Sequence, residues 1–398
     1  MLPGRSPLTA TDRDVDLGAL GLDRGGHLLV ARTLDTMAVG ERLAVSGTDP
    51  HLAIHLAVFV RTGGHGLDVG NIVVKGDRTE RRLMGAVRAG GSSQPADHPP
   101  ASWGLAPRGA LVEAGGPSLD SADLDQRQEL WSDLAPRLYA QAAARQWDPA
   151  TSIDWTPPDL SGEVEAAVVQ VMTYLIENEQ AALMVPARFL GRIHPHFREI
   201  QQFLATQIAD EARHVEVFTR RALLSGRPLG VSGASGRASL QTLFDQPDWP
   251  TASFLLSVLG EGTFLSLLAF LERWAPDPVT ARIAQLTGRD EARHVAFALG
   301  HLGEHVASDP SYRDRLAAAI ERRHDTLTHM SGLAPAVEDS LIVLAAGAWT
   351  PDAIGRGWDR VQDLQRDMDQ GRQHRLVRLG FSDRQATELS ALHTRNFM

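Results

Sequence analysis

The sequence predicts a mainly α-helical protein: a four-helix bundle with extra C-terminal helices, preceded by a small N-terminal α/β sandwich. Three observations carry that expectation. From residue 125 to the end of the 398-residue chain, apolar residues recur at helical spacing. Two pairs of these helices are joined by short breaks, 191–195 and 275–278, while the stretch between the pairs, 225–250, is long and rich in Gly and Ser. Hairpin, long crossover, hairpin is one of the connectivities of a four-helix bundle. Residues 12–85, by contrast, are dense in Val, Leu and Gly and read strand, helix, strand, helix, strand.

Taken in order, the segment Thr11-Asp12-Arg13-Asp14-Val15-Asp16-Leu17 alternates as a strand does, and Glu41-Arg42-Leu43-Ala44-Val45-Ser46 alternates again. Between them 27–37 has helical spacing. A second helix is expected over 51–61, with Thr48 or Asp49 as cap and Pro50 at its first position, followed by a strand over 71–75. Residues 86–127 read as a linker, broken by Gly90, Pro99, Pro100 and Gly115-Gly116-Pro117. The helical part, 128–398, shows periods at 161–190, 196–224, 250–274, 277–306, 312–330, 336–347 and 351–377, and Ser382 with Gln385 forms a capping box before a last short helix.

Composition narrows the function. Acidic side chains outnumber basic ones by 49 to 39, a formal charge of −10, which argues against nucleic acid and anionic membrane surfaces as partners. There is no cysteine, so disulfides, thiolate metal sites and cysteine nucleophiles are excluded. No apolar h-region opens the chain and no run of eighteen apolar residues occurs, so a soluble, cytoplasmic protein is expected.

The chemistry sits in a repeat. Asp210-Glu211-Ala212-Arg213-His214 recurs letter for letter as Asp290-Glu291-Ala292-Arg293-His294, each time on the second helix of a hairpin. Glu and His three apart share a helix face, so each copy offers one carboxylate and one imidazole, and two copies provide for a dinuclear site. Such a site needs one further carboxylate from each remaining helix. Glu261 lies 14 residues before Ala275 and Glu291 lies 14 after Asp277, so the two are level. In the first hairpin Glu177 and Glu179 both pass the height test. Glu179 shares a stripe with apolar Met172, Leu175, Ile176, Ala182 and Leu183, where a carboxylate is costly unless metal-bound; Glu177 shares a wetter stripe with Gln170, Thr173 and Tyr174. Glu179 is therefore the expected ligand and Glu177 the reserve. Asp210 and Asp290 are placed to accept from the far N–H of the histidine in the opposite copy, with Arg213 and Arg293 holding the aspartates. The competing structural reading is a solvated, salt-bridged helix face; two copies, each with an inward Glu about thirty residues upstream, weigh against it.

At these residues the chain resembles the ferritin-like non-haem di-iron carboxylate proteins, in particular their oxygenase branch of multicomponent monooxygenase hydroxylases and arylamine N-oxygenases. Glu179-Gln180-Ala181-Ala182 with the first pentapeptide, and Gly260-Glu261-Gly262-Thr263-Phe264 with the second, carry the resemblance, which spans 130–305. It implies two irons, held by Glu179, Glu211, His214, Glu261, Glu291 and His294; a carboxylate-rich site also accepts manganese in one position (Mn/Fe), and spacing does not distinguish the metals. It further implies reductive activation of O₂ with electrons from an external donor, and hydroxylation, desaturation or N-oxidation of a small organic substrate. The chain departs from the family at three places. Leu265 stands where the hydroxylases have a threonine, with Thr263 the nearest hydroxyl. Phe218 and Ala298 stand one turn past the two histidines, where radical-storing ribonucleotide reductase subunits keep a tyrosine after the first. Thr287 occupies the place of a third histidine found in some arylamine oxygenases. The segment 12–85 is similar, through Gly21-Leu22-Asp23-Arg24-Gly25, Gly40-Glu41-Arg42-Leu43, Thr48-Asp49-Pro50 and Gly64-His65, to TusA-like sulfur-carrier domains, but it lacks their reactive cysteine, leaving a docking or substrate-covering role.

Other signals carry less. His301 and His305 are four apart and read as surface histidines rather than a second metal site. His51 and His55 near Asp49 lack an evident third ligand, and His194 and His196 read as helix caps. The glycine-rich 63–70 has no helix after it and so is not a phosphate loop. Phe218, Phe264 and Phe297 read as core. The expectation is thus an O₂-activating di-iron enzyme; the rivals are an iron-handling ferroxidase or peroxidase without organic substrate, and a metal-free scaffold. Size and enzyme class point to a homodimer.

Overall fold

The computed structural model describes residues 10–78, 83–328 and 335–393. The chain forms two compact units, Met1–Ala89 with Gly109–Pro117, and Gly90–Arg108 with Ser118–Met398.

The first unit runs β1 (Arg13–Asp16), α1 (Gly26–Asp35), β2 (Arg42–Ser46), α2 (Leu52–Gly63), β3 (Gly66–Asp68) and β4 (Ile72–Val74). Its sheet has the order β1-β2-β4-β3, with β1 parallel to β2 and β4 antiparallel to both of its neighbours. Val30 and Leu34 of α1 and Leu56 and Val60 of α2 pack with Leu43 and Val73 of the sheet in one buried cluster. The helix expected at 51–61 begins at Leu52, because the Asp49 carboxylate accepts the His51 N–H (2.9 Å) and holds a turn ahead of it. Strand β3 was not anticipated in the glycine-rich stretch. Gly64, at φ 73°, caps α2 in a left-handed conformation that glycine adopts without a Cβ clash, and so turns the chain straight into the strand. Within 86–127, Val87–Arg88 and Leu111–Val112 pair as a short two-stranded ladder inside this unit.

The second unit holds α3 (Ala135–Ala144), α4 (Gly162–Leu190), α5 (Arg198–Leu223), α6 (Ala234–Phe244), α7 (Trp249–Trp274), α8 (Pro278–Ser308), α9 (Tyr312–Leu327), α10 (Pro335–Ala346), α11 (Pro351–Arg378) and α12 (Asp383–His393). The bundle is α4, α5, α7 and α8, with α4 packed on α5 and α7 on α8. The starts are capped as their sequences dictate. Ser161 accepts from Val164 N–H before α4, Asp248 from Thr251 N–H at α7, and Asp277 from Thr280 N–H at α8. Ser382 and Gln385 close their capping box around α12. Helix 312–330 of the sequence reading ends at Leu327; residues 329–330 lie outside the described ones.

Two features of this unit differ from the sequence reading. The crossover contains the helix α6, and its first part is strapped to α4: Thr173 Oγ1 accepts from Gly230 N–H (2.8 Å), and Gln170 exchanges hydrogen bonds with the Val231 backbone (2.8 and 2.9 Å). The centre of α7, Phe254–Glu261, is π-helical. A π segment inserts a residue into a helical turn, so the side chains after it are re-aimed. Helix α7 is long and apolar enough to cross a bilayer, but 83% of its most apolar stretch is buried inside the protein, as befits a central bundle helix.

Candidate metal centre

The two pentapeptides bring their side chains to the middle of the bundle. Glu179, Glu211, His214, Glu261, Glu291 and His294 are each at most 3% exposed. Their donor atoms gather in two groups: Glu179, Glu211, His214 and Glu291 in one, Glu211, Glu261, Glu291 and His294 in the other, with the atoms of each group within 4.8 Å of one another. Glu211 and Glu291 belong to both. Each presents one oxygen to each histidine: Glu211 lies 3.1 Å from His214 Nδ1 through Oε2 and 3.0 Å from His294 Nδ1 through Oε1. Glu291 does the same through Oε1 (3.3 Å) and Oε2 (3.4 Å). Glu179 Oε2 stands 3.4 Å from His214 Nδ1 on one side. One Glu from each of two helices and a Glu-x-x-His pair from each of the other two make this a ferritin-like bundle with a buried site suited to two metals. Glu177 is half-buried and stands outside both groups.

The donor atoms fit metal ions on two counts. Glu179 Oε1 and Glu261 Oε2 are buried with no hydrogen-bond partner among the described residues. Glu211 Oε1, both oxygens of Glu291 and His294 Nδ1 also lack one there, the Glu211 and Glu291 oxygens only facing a histidine Nδ1 at 3.0–3.4 Å outside hydrogen-bond geometry. Buried polar atoms are otherwise paired, because leaving them bare is costly. The charge also closes: four glutamates and two aspartates against two arginines leave −4, which two divalent cations and neutral imidazoles balance.

Around this core the aspartates cross over. His214 Nε2 faces Asp290 Oδ2 (3.3 Å) and His294 Nε2 faces Asp210 Oδ2 (3.4 Å), each in the opposite copy. Nε2–H donating outward leaves Nδ1 free to point inward, so the aspartates select the tautomer a metal requires. Arg213 pairs with Asp210 and with Asp290 (3.1 Å), and Arg293 with Asp290 and with Asp210 (3.3 Å), a lattice that ties the two copies together. Three members were missed in the sequence. Trp147 Nε1 donates to Asp290 Oδ2 (2.8 Å) beneath the Arg213 guanidinium, Gln146 Nε2 donates to Asp210 Oδ1 (3.1 Å), and Gln207 Nε2 donates to Glu261 Oε1 (3.2 Å). Gln207 sits one turn before Glu211 and carried a readable signal, a polar residue on the inward face; Trp147, in a loop, carried none. Asp290→Asn keeps the shape but not the charge that orients His214, so metal affinity is expected to fall about 10- to 100-fold with the helical fold intact. Competition with a chromophoric chelator measures it.

Titration of the metal-free cluster follows from its geometry. Burial, then the charges of Glu211 and Glu291, push the Glu179 carboxyl well up; burial and the Glu291 charge do the same to Glu261. Burial opposes the charged imidazoles, but Asp290 and the glutamates hold His214 well above its ordinary value, as Glu211, Glu291 and Asp210 do for His294. Burial likewise opposes ionised Glu211, yet His294 and His214 hold its carboxyl low. Glutamates raised in the fold lose stability as pH rises above the ordinary carboxylate range, and raised histidines lose it as pH climbs through their folded values. Both act in the same direction between pH 6 and 8, where protons also compete with metal for the same atoms. The Tm gap between metal-loaded and metal-free protein is therefore expected to widen from pH 6 to pH 8; calorimetry at both values checks it, and a narrowing gap contradicts it.

The remaining sequence candidates fall as follows. His301 and His305, expected at the surface, are buried. His301 Nε2 meets Ser253 Oγ (2.9 Å) and His305 stacks on Tyr312 (3.8 Å), because α7 and α9 cover that face of α8. His194 accepts from His196 N–H (3.1 Å), capping the turn before α5, and His196 accepts from Ala96 N–H (2.9 Å). His55 lies with Asp23 and Asp49 in a half-exposed group that could hold an ion, a third partner not evident from the sequence. Phe218, Phe264 and Phe297 are core residues, and Thr263 donates to the Leu259 carbonyl (2.6 Å). Thr287, one turn before Glu291, is buried with its hydroxyl unpartnered among the described residues.

No family model and no curated protein matches the chain. Among solved structures it is similar to R2-like ligand-binding oxidase with an aerobically reconstituted Mn/Fe cofactor (21% identity, 67% of this chain and 95% of that one, TM-score 0.42). The same oxidase after photoconversion gives 20% identity, 65% and 94% coverage and a TM-score of 0.42. A single-site mutant of it gives 19%, 60% and 94%, and 0.44.

Proposed function

We propose that this protein is an O₂-activating oxidoreductase with two redox-active metal ions, iron or iron with manganese, acting on a small organic substrate. The observation that carries the reading is the sharing of Glu211 and Glu291 between two four-residue donor groups buried in an apolar bundle core. Glu179 and His214 would complete one ion's protein ligands, and Glu261 and His294 the other's. Four side chains per ion would leave a first-row metal with open positions for O₂ and substrate. When bound, the ions supply the electrons that reduce O₂ and the oxidising power that results.

The chain's own residues set the conditions for that chemistry. Asp290 and Asp210 hold the imidazoles in one tautomer, and the two arginines neutralise those aspartates so that the glutamates retain the net negative charge for the metals. Phe203, stacked on Phe297 (4.3 Å) and edge-on to His294, helps exclude water from that side. Trp147 anchors Asp290 Oδ2, the same oxygen that His214 Nε2 faces.

The test is O₂ uptake by protein loaded anaerobically with Fe(II), with and without a chemical reductant. Consumption in proportion to the metal pair, sustained by reductant and absent from a Glu211→Ala, Glu291→Ala double variant, supports the reading. Full loading with no O₂ uptake overturns it. Uptake that deposits ferric mineral, with iron far above two per chain, would place the protein with the iron-handling ferroxidases instead.

A further inference from the structure

Arg375, on α11, reaches across to the π-helical turn of α7 that ends in Glu261. Its Nε donates to the Val258 carbonyl (2.7 Å). In an α-helix that carbonyl would serve the N–H of Gly262, four residues on; here the Gly262 N–H reaches back five residues, to Ser257. The next carbonyl, that of Leu259, accepts from Thr263 Oγ1 (2.6 Å), and Arg372 Nη1 stands 3.4 Å from the same hydroxyl. Two successive carbonyls of the widened turn are thus met by side chains, one of them from another helix. Nη2 of Arg375 has no hydrogen-bond partner, and no carboxylate pairs with its guanidinium, among the described residues. The cation is spent on the backbone of α7.

The fold makes room for this contact. A Cβ on Gly262 would lie 2.4 Å from Arg375 Nε, and one on Gly371, a turn before Arg375, 3.1 Å from its Nη1. Both glycines sit inside helices, where glycine costs stability relative to alanine, and neither needs a left-handed backbone; Gly262 has φ −60°. What they clear is the path of the guanidinium, along an open cleft of about 510 Å³ between α7 and α11. Glu261 closes the π segment. Gln207 holds its Oε1 (3.2 Å), while its Oε2 is buried without a partner among the described residues. Winding 254–261 as an α-helix would turn one flank of α7 against the other by about 100°, the advance of one residue. Glu261 and the buried Phe254, Leu255 and Leu259 could not then all keep their places.

We propose that Arg375 holds the π turn of α7 open through the Val258 carbonyl and thereby aims Glu261 at the metal centre. It is a positioning residue, acting through the backbone three residues before Glu261 rather than on the metals. The inference rests on the reading of the Glu/His cluster as a two-metal site and makes one of its two positions depend on α11. The ion bounded by Glu211, Glu261, Glu291 and His294 needs Arg375; the ion on the Glu179 side does not.

The test combines two readouts on the full chain: metal per chain after anaerobic Fe(II) loading and desalting, and amide exchange by mass spectrometry across 254–263 in the metal-free protein. Arg375→Met is expected to hold near one metal per chain against near two in the wild type. Its exchange across 254–263 should be about tenfold faster, with exchange across 285–295 unmoved. Gly262→Ala is expected to match it, since the new methyl displaces the guanidinium, although on helix propensity alone alanine would stabilise α7. Adding Glu261→Gln to either variant should remove no further metal, because both act through that carboxylate. Arg375→Lys, which can still donate to the carbonyl, should restore part of the second metal. If Arg375→Met does not fold, Gly262→Ala carries the test. Two metals in the folded variants, or loss of both metals in step with a lower Tm, overturns the proposal. Unmoved exchange across 254–263 overturns it too, with metal or without. Wild-type protein that takes up no metal, with 254–263 loosened in both variants, keeps the clamp and rejects the dimetal reading.

Discussion

Glu211→Gln and Glu291→Gln are each expected to empty both metal positions, whereas Glu179→Gln and Glu261→Gln should each empty one. The asymmetry follows from sharing. An amide retains one oxygen but carries no charge, so a shared position loses a bridging anion for both ions at once, and the −4 that balances two divalent cations becomes −3 around a broken bridge. Elemental analysis should read near zero metal per chain for the first pair and near one for the second, against near two in the wild type. One metal lost in all four variants would mean independent sites without a bridge. The outer variants carry a second expectation. Glu179 and Glu261 have carboxyls raised by burial and by neighbouring negative charge, so removing either charge should leave the metal-free protein as stable as the wild type at pH 8, or more so.

Arg221→Met should be the most damaging single change to the fold among the residues outside the centre. Arg221 is fully buried, forks onto both oxygens of Glu165 (2.8 and 2.9 Å), and reaches Asp277 Oδ2 (2.9 Å) and Thr280 Oγ1 (2.9 Å). It thereby joins the end of α5 to the start of α4 and to the cap of α8, locking the two hairpins at one end of the bundle. Removing the cation strands two buried carboxylates, a loss of about 3–5 kcal/mol. Glu165→Met added to Arg221→Met should recover part of it, because Asp277 keeps its bond to the Thr280 N–H (2.8 Å) while Glu165 no longer needs a partner. Chemical unfolding followed by far-ultraviolet dichroism measures both. A single variant within about 1 kcal/mol of wild type would show that the network contributes little.

The centre was unusually legible because its signal is local and doubled. Glu211/His214 and Glu291/His294 repeat at a fixed spacing on helices of plain periodicity, and the hairpin breaks at 191–195 and 275–278 set the height of Glu261 and of the Glu177/Glu179 pair. The apolar stripe distinguished Glu179 from Glu177, since a lone carboxylate among Met172, Leu175 and Ala182 has few reasons to be there. What could not be read depends on partners distant in sequence. Helix α6 has a Ser- and Gly-containing sequence of weak propensity; it is held by Leu243 in the core and by Arg323, 81 residues away from Thr242. The π segment of α7 leaves no mark on periodicity, because every residue from Phe254 to Glu261 is buried whichever way the turn is wound. His301 and His305 share a face with His294, yet only the packing of Ser253 and Tyr312 against them shows that the face is covered. Arg323 itself looks like any surface arginine until its burial is known.

The measurement that tests the account most directly is anomalous diffraction from crystals of the metal-loaded protein, collected on either side of the iron and manganese absorption edges. The account predicts two peaks, one bounded by Glu179, Glu211, His214 and Glu291, the other by Glu211, Glu261, Glu291 and His294, with a carboxylate of Glu211 or Glu291 spanning both. A single peak, peaks only at the half-exposed group of Asp23, Asp49 and His55, or none in the bundle after full Fe(II) loading would contradict it and leave the repeated pentapeptide as a salt-bridged scaffold.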